Sequence, residues 1–168
     1  YAKTLAMTTG KPYLGVNHLE GHALTCHLTD GVDFPYLLLL VSGGHCQFIH
    51  VKYAGNYETV GGTLDDAVGE AFSFSGLKTA ARQLIKNQPE MDAQTIADIC
   101  ASFQETVAQT LTIKSARALD DTPDVKNFVL AGGVAANRML CSRLQDMCRQ
   151  KDVNFTAPPV HLCTDNAA

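Results

Sequence analysis

The chain has no pair of cysteines spaced as C-x-x-C, although it contains six cysteines, at positions 26, 46, 100, 141, 148 and 163. Scattered thiols in a chain with an ordinary core are typical of reduced cysteines in a cytosol-like compartment, so we expect no disulfide framework. Long apolar runs are also missing, because the longest, residues 36–41, is far shorter than the roughly 20 residues that cross a bilayer. No basic-then-apolar leader opens the sequence. We therefore expect a soluble protein that is not embedded in a membrane.

Basic residues are in deficit, with 13 Lys and Arg against 17 Asp and Glu and a net charge of −4. A nucleic-acid partner would have to bind to a local basic patch or to other subunits. Apolar residues are plentiful, because 46% of the 168 residues are hydrophobic. This content is enough to bury one core and excludes disordered and collagen-like chains.

Hydrophobic periodicity and turn residues predict alternating helices and strands along the chain. Helices are predicted at residues 2–9, 18–28, 64–72, 77–86, 93–119 and 137–150. Strands are predicted at residues 13–16, 36–41, 46–52, 127–131 and 153–156, with glycine turns at 55–56 and 61–62. The mixture of a hairpin with strand–helix units indicates an α/β domain.

Two histidines, His18 and His22, lie four residues apart on a predicted helix. This spacing places both imidazoles on one face about one turn apart, where they can reach one divalent metal. A metalloprotease has its glutamate directly after the first histidine, as H-E-x-x-H, whereas Glu20 sits between the two and points away from their face. The zinc-protease interpretation is therefore disfavoured. On spacing alone, two histidines used for packing or solvent contact remain the default explanation.

Two glycine turns follow predicted strands, one at residues 42–44 and one at 132–133. Glycines leave backbone N–H groups uncovered for a phosphate oxygen, and a helix N-terminus favours negative charge. Asn137, at the start of the following helix, offers an amide to a ribose or a base. Taken singly, the first turn is better explained as a plain hairpin turn, and the second can be a strand–helix turn packed closely against its neighbour. Together they favour a nucleotide held between two lobes.

Six blocks of sequence occur in a defined order. They are N-H-L-E-G-H at 17–22, L-V-S-G-G-H at 40–45, L-D-D-A-V-G-E-A-F at 64–72, S-F-S-G-L-K-T at 73–79, G-G-V-A-A-N at 132–137 and C-T-D-N-A at 163–167. In order and wording they resemble the TsaD family of tRNA N6-adenosine threonylcarbamoyltransferases. The resemblance covers almost all of residues 1–168. It implies an actin-like, sugar-kinase/Hsp70-like ATPase (ASKHA) fold with two lobes, here as an incomplete chain.

The resemblance also implies a site and a reaction. A divalent metal, iron or zinc, would be bound by His18, His22 and Asp165 and would polarise the carbamoyl group of the substrate. Contacts to the nucleotide and acyl-adenylate would come from Leu40, Val41, Ser42, Gly43, Gly44 and Asn137. The implied enzyme transfers the threonylcarbamoyl group of threonylcarbamoyl-AMP to N6 of the adenosine next to the anticodon in tRNA. AMP is released, and ATP or ADP also fits the pocket.

No catalytic side chain beyond the metal site is assigned, and Asp65 and Asp66 have no role beyond that of a carboxylate pair at a helix N-terminus. The implied partners are tRNA, a TsaB-type paralogue and a TsaE-type ATPase. The implied location is the bacterial cytoplasm, with a mitochondrion as the alternative. Two other functions stay open, a kinase-like nucleotide-binding ATPase and a non-catalytic assembly module of the same fold. The paired histidines argue against the kinase.

The sequence departs from the family pattern at both ends and in the middle. The family's first strands and its last helix are missing, and Phe72 runs directly into Ser73, where the family has several dozen residues. That segment supplies the family's nucleotide site with an aspartate and a Y-P-G-G turn. Without it, the ribose side of the pocket would be open.

Overall fold

The computed structural model describes residues 1–42, 45–62, 74–88 and 90–163. Its centre is a five-stranded sheet in the order β3-β2-β1-β4-β5. The strands are β1 (Tyr36–Ser42), β2 (His45–Tyr53), β3 (Asn56–Gly62), β4 (Asn127–Ala131) and β5 (Asn154–Thr156). β1, β2 and β3 form an antiparallel meander, whereas β4 lies parallel to β1 and β5 lies parallel to β4. This mixed sheet confirms the predicted α/β class.

Helices cover both faces of the sheet. They are α1 (Ala2–Thr9), α2 (His18–Asp30), α3 (Phe74–Lys86), α4 (Ala93–Asp120), α5 (Arg138–Gln150) and the short α6 (Val160–Cys163). Successive residues of β1 face opposite ways, so Leu38 and Leu40 pack in the core under α2, and Leu37 and Leu39 in the core under α4 and α5. Burial on both faces explains why β1 is a continuous apolar run instead of an alternating one.

Capping residues set the helix boundaries where the sequence predicted them. α1 ends at Gly10 and α2 at Gly31, and both glycines adopt the left-handed conformation that closes a helix without steric strain. At the start of α2, the Asn17 side chain accepts hydrogen bonds from the backbone N–H groups of Leu19 and Glu20. These bonds satisfy donors that have no partner inside the helix.

Two predictions about strands are wrong. Residues 13–16 form no strand, and Leu14 and Val16 lie exposed, because the segment pairs with no edge of the described sheet. β3 was not predicted, because Gly55–Asn56 and Gly61–Gly62 indicated only turns. Irregular pairing with β2 next to Ile49 lets Gly61 and Gly62 continue the ladder as strand residues.

The predicted helix at residues 64–72, with Asp65 and Asp66, lies outside the described residues. All six cysteines are free thiols. Burial raises the pKa of Cys148 to about 12 and that of Cys46 to about 11, so both stay protonated at neutral pH. Among the described helices, none has the length and apolar content needed to span a membrane.

Candidate functional site

The structure brings His18 and His22 together on the first turns of α2. Their ring centroids are 4.7 Å apart in an edge-to-face arrangement. His22 is buried, with 8% of its surface exposed, whereas His18 is exposed. Imidazole nitrogens bind zinc or iron at about 2 Å, so two rings at this separation can share one ion. The residues present therefore fit a metal, with one ligand presented from the protein interior and one from the surface.

Glu20 faces away from the two histidines. Its carboxylate accepts a hydrogen bond of 2.7 Å from the Tyr57 hydroxyl on β3. Burial is the main reason that the pKa of Tyr57 is raised, and the bond to Glu20 adds to the effect. The Glu20 side chain therefore bonds to the sheet and is not positioned to act as the general base of a metalloprotease.

Among the described residues, no group of three histidine, cysteine or acidic side chains gathers to hold a metal. The predicted third ligand, Asp165, lies outside the described residues. The part of the chain that leads to it is described: α6 packs against the turn at Gly133–Ala136 and ends at the buried Cys163. Burial raises the pKa of Cys26 to about 12, and smaller contributions come from Asp30 and Cys163. Cys163 itself lies in the core beneath α4 and α5, two residues before Asp165.

The two glycine turns follow strands that end side by side. β1 and β4 are parallel, with Leu40 opposite Ala131, so their carboxyl ends lie at the same edge of the sheet. Gly132 comes directly after β4 and adopts φ 90° and ψ 174°, a conformation open almost only to glycine. Gly43, Gly44 and the Ser42 side chain lie outside what the structure describes. A ligand anion at this edge could meet backbone groups of the connection that follows β4.

The strand residues next to the first turn differ in what they offer a ligand. The Leu40 side chain is fully buried in the core beneath α2, so only its main chain can contact a ligand. Val41 is half-buried and packs against the opposite core. The sequence resemblance named both residues without separating main-chain from side-chain contacts.

We expect Gly132→Ala to destabilise the protein by about 1–3 kcal/mol, because a Cβ forces strain at this positive φ. Gly133→Ala is the matched control. Gly133 has no positive φ, and an added Cβ there meets nothing within 4 Å, so its effect should stay within about 1 kcal/mol. Urea unfolding followed by circular dichroism measures both. Equal losses in the two variants would contradict the strained geometry of Gly132.

Asn137 caps α5 and lines a cavity. Its side-chain oxygen accepts a 3.1 Å hydrogen bond from the backbone N–H of Leu140, while its amide N–H groups remain donors. The cavity is about 170 Å³ and has a mostly apolar lining from α4 and the start of α5, including Phe103, Val107 and Met139. Phe103 and Val107 lie one turn apart on α4. Partial exposure of Phe103, at 41%, is the sign that it lines an accessible surface.

The candidate residues thus lie on opposite faces of one sheet. The histidine pair belongs to α2 on one face, and Asn137 opens onto the cavity beside α4 on the other. The shared end of β1 and β4 lies between these layers.

Comparison with known proteins extends these observations. The family model described as "TsaD: tRNA N6-adenosine threonylcarbamoyltransferase" matches residues 1–73 and 70–168. Proteins named tRNA N6-adenosine threonylcarbamoyltransferase from Brucella anthropi, Brucella ovis and Brucella canis are each 44% identical to the chain over 216 residues. Each alignment takes in 99% of this chain and 60% of the relative, so the chain spans about 60% of the length of these relatives. Both the family match and the identity confirm the resemblance seen in the sequence blocks, and the chain belongs to the TsaD family.

Proposed function

We propose that this chain transfers the threonylcarbamoyl group from threonylcarbamoyl-AMP to N6 of the adenosine next to the anticodon in tRNA and releases AMP. Family membership and the names of its relatives support the reaction class. The observation that carries the proposal is the His18–His22 pair, with ring centroids 4.7 Å apart. A kinase-like ATPase has no need for paired imidazoles, whereas a metal-dependent acyl transfer does.

We propose His18, His22 and Asp165 as the ligands of one iron or zinc ion. When bound, such an ion polarises the carbamoyl carbonyl as a Lewis acid. The chain's own contribution is to hold these ligands in place. Asn17 caps the turn that carries His18, and burial restricts the rotamers of the His22 side chain. Asp165 follows α6 by two residues, and α6 ends at the buried Cys163.

The substrate is proposed to cross the carboxyl edge of β1 and β4. Backbone N–H groups of residues 42–44 and 132–133 would bind the phosphate, and the adenine would lie toward Asn137 and its cavity. The acyl group would then lie on the α2 side, near the histidines. Because the substrate arrives activated, catalysis needs positioning and stabilisation of developing charge, without a nucleophilic side chain.

The two-lobed ASKHA fold is proposed for the whole protein, of which this chain is an incomplete part. The mixed sheet and family membership support this assignment. We propose on the same basis that a segment present in the relatives is missing from this chain after Phe72. The two matched segments meet at residues 70–73, and the alignments are longer than the chain, so the relatives have residues without a counterpart here.

The proposed partners are tRNA, a TsaB-type paralogue and a TsaE-type ATPase in a bacterial cytoplasm. A net charge of −4 gives this chain little attraction for tRNA on its own. Basic surfaces on a partner would supply the missing attraction, which supports an assembly over an isolated subunit.

The direct test incubates the chain with threonylcarbamoyl-AMP and tRNA, with and without TsaB-type and TsaE-type proteins. Mass spectrometry of the digested tRNA detects the modified nucleoside. Its appearance only when the chain is present supports the proposal. Binding of the partners without any transfer would instead favour the assembly module.

Asn137→Ser separates the two roles of this residue. Serine caps a helix about as well as asparagine, so we expect little change in the free energy of unfolding. The amide donors are lost, and we expect the affinity for AMP, measured by calorimetry, to fall about 3- to 10-fold. Asn137→Ala should lose this affinity and about 1 kcal/mol of stability as well. Parent affinity in Asn137→Ser would argue against a nucleotide contact at this side chain.

A further inference from the structure

The hydrogen bond between Tyr57 and Glu20 joins distant parts of the chain. Tyr57 is half-buried on β3, and its hydroxyl donates to Glu20 at 2.7 Å, across a separation of 37 residues. The same hydroxyl accepts a 3.1 Å hydrogen bond from the backbone N–H of Gly55, in the turn between β2 and β3. The Tyr57 hydroxyl therefore makes two hydrogen bonds, one as acceptor and one as donor. Its bond to Glu20 is strong because the acceptor is a charged carboxylate.

Glu20 lies on the opposite side of α2 from the histidines. At 3.6 residues per turn, a residue midway between two others that are four apart lies about 160–200° around the helix from each. The structure agrees, because Glu20 contacts β3 while His18 and His22 contact each other. Rotation of α2 about its axis would therefore move Glu20 and the histidine pair in opposite directions.

A second polar contact joins α2 to the sheet. The Tyr36 hydroxyl donates to the backbone carbonyl of Ala23, a bond of 2.7 Å near the helix centre. Ala23 and Cys26 supply the apolar contact between α2 and the sheet. Both side chains are small, so they interlock little with the side chains of the sheet. The N-terminal half of α2 borders a cavity of about 250 Å³ lined by Gln47, Ile49 and Thr59, so it lacks close packing on that side.

We propose that Tyr57 and Glu20 are positioning residues whose hydrogen bond sets the rotation of α2 and thereby holds His18 and His22 in a metal-binding orientation. This role rests on the proposed function, because the histidines are taken as ligands. Neither residue contacts the metal or the reacting group. Their effect passes through the helix, in the way that outer residues orient ligands in metal sites.

The test compares variants of the full 168-residue chain. Tyr57→Phe removes the hydroxyl and keeps the ring, and Glu20→Ala removes the acceptor. Zn²⁺ affinity is measured by competition with a chromophoric chelator, and hydrogen exchange is measured for the α2 amides. We expect both variants to bind Zn²⁺ about 3- to 10-fold more weakly and to exchange faster in the first half of α2. Glu20→Gln retains an acceptor oxygen and should stay within about threefold of the parent.

Tyr53→Phe is the matched control, because Tyr53 is 59% exposed at the end of β2. It should leave both measurements unchanged. Parent Zn²⁺ affinity in Tyr57→Phe would overturn the positioning role, whether or not hydrogen exchange in α2 increases. The metal site itself is tested by His22→Ala. If that variant binds Zn²⁺ as the parent does, the proposed site fails and the positioning role fails with it.

Discussion

Replacing His22 by alanine is expected to abolish the proposed transfer of the threonylcarbamoyl group to tRNA, with a loss of at least about 100-fold in rate. The reason is geometric, because His22 is the buried member of the pair and no second buried imidazole is described on that face of α2. Bound metal, measured by elemental mass spectrometry of the purified chain, should fall to background in the same variant. Far-UV circular dichroism should be unchanged.

His27→Ala is the matched control for this prediction. His27 lies on the same helix, about 140° around it from His22. Its Nδ1 lies 2.7 Å from the carbonyl oxygen of Val32, and its ring lies against Phe34. We expect its loss to lower stability while metal content and transfer remain. Normal transfer by His22→Ala would remove the metal site from the mechanism.

Phe128→Ala is expected to lower the free energy of unfolding by about 3–5 kcal/mol, a large share of the 5–15 kcal/mol typical of a domain. Phe128 is fully buried on β4. It pairs with Leu37 on β1 and packs its ring against Phe155 on β5, with centroids 6.4 Å apart. Truncation leaves a cavity between three strands that cannot easily close.

Phe103→Ala makes the same chemical change on α4, where the ring is 41% exposed. We expect it to cost no more than about 1 kcal/mol. Urea unfolding of both variants gives the comparison. A loss as large in Phe103→Ala as in Phe128→Ala would mean that α4 packs more tightly than the structure shows.

Local signals predicted the elements that carry the site. The helix with the histidine pair could be located because Asn17 and Gly31 are specific end signals, and short-range hydrogen bonds decide where a helix starts and stops. β1 could be located because burial on both faces requires an unbroken apolar run. The same signals failed at residues 13–16, where a strand-like pattern met no partner strand.

Pairings between distant residues could not be predicted. β3 depends on irregular pairing with β2 that carries two glycines through a strand, and nothing local indicates it. One local contact was also missed, because the predicted helix at residues 137–150 includes Asn137, whereas the structure has Asn137 as the N-cap of α5. The bond from Tyr57 to Glu20 joins residues too far apart in sequence for periodicity or spacing to connect them.

The sequence by itself determined the α/β class, the face that His18 and His22 share, and the family, because helix spacing and ordered motifs are properties of the chain alone. Tertiary structure decided that β1 and β4 end at one edge, with Asn137 and the histidine pair on opposite sides of the sheet. It also placed Glu20 of α2 against Tyr57 of β3. Register and helix orientation come from the free energy of burying whole faces together, which no short stretch of sequence contains.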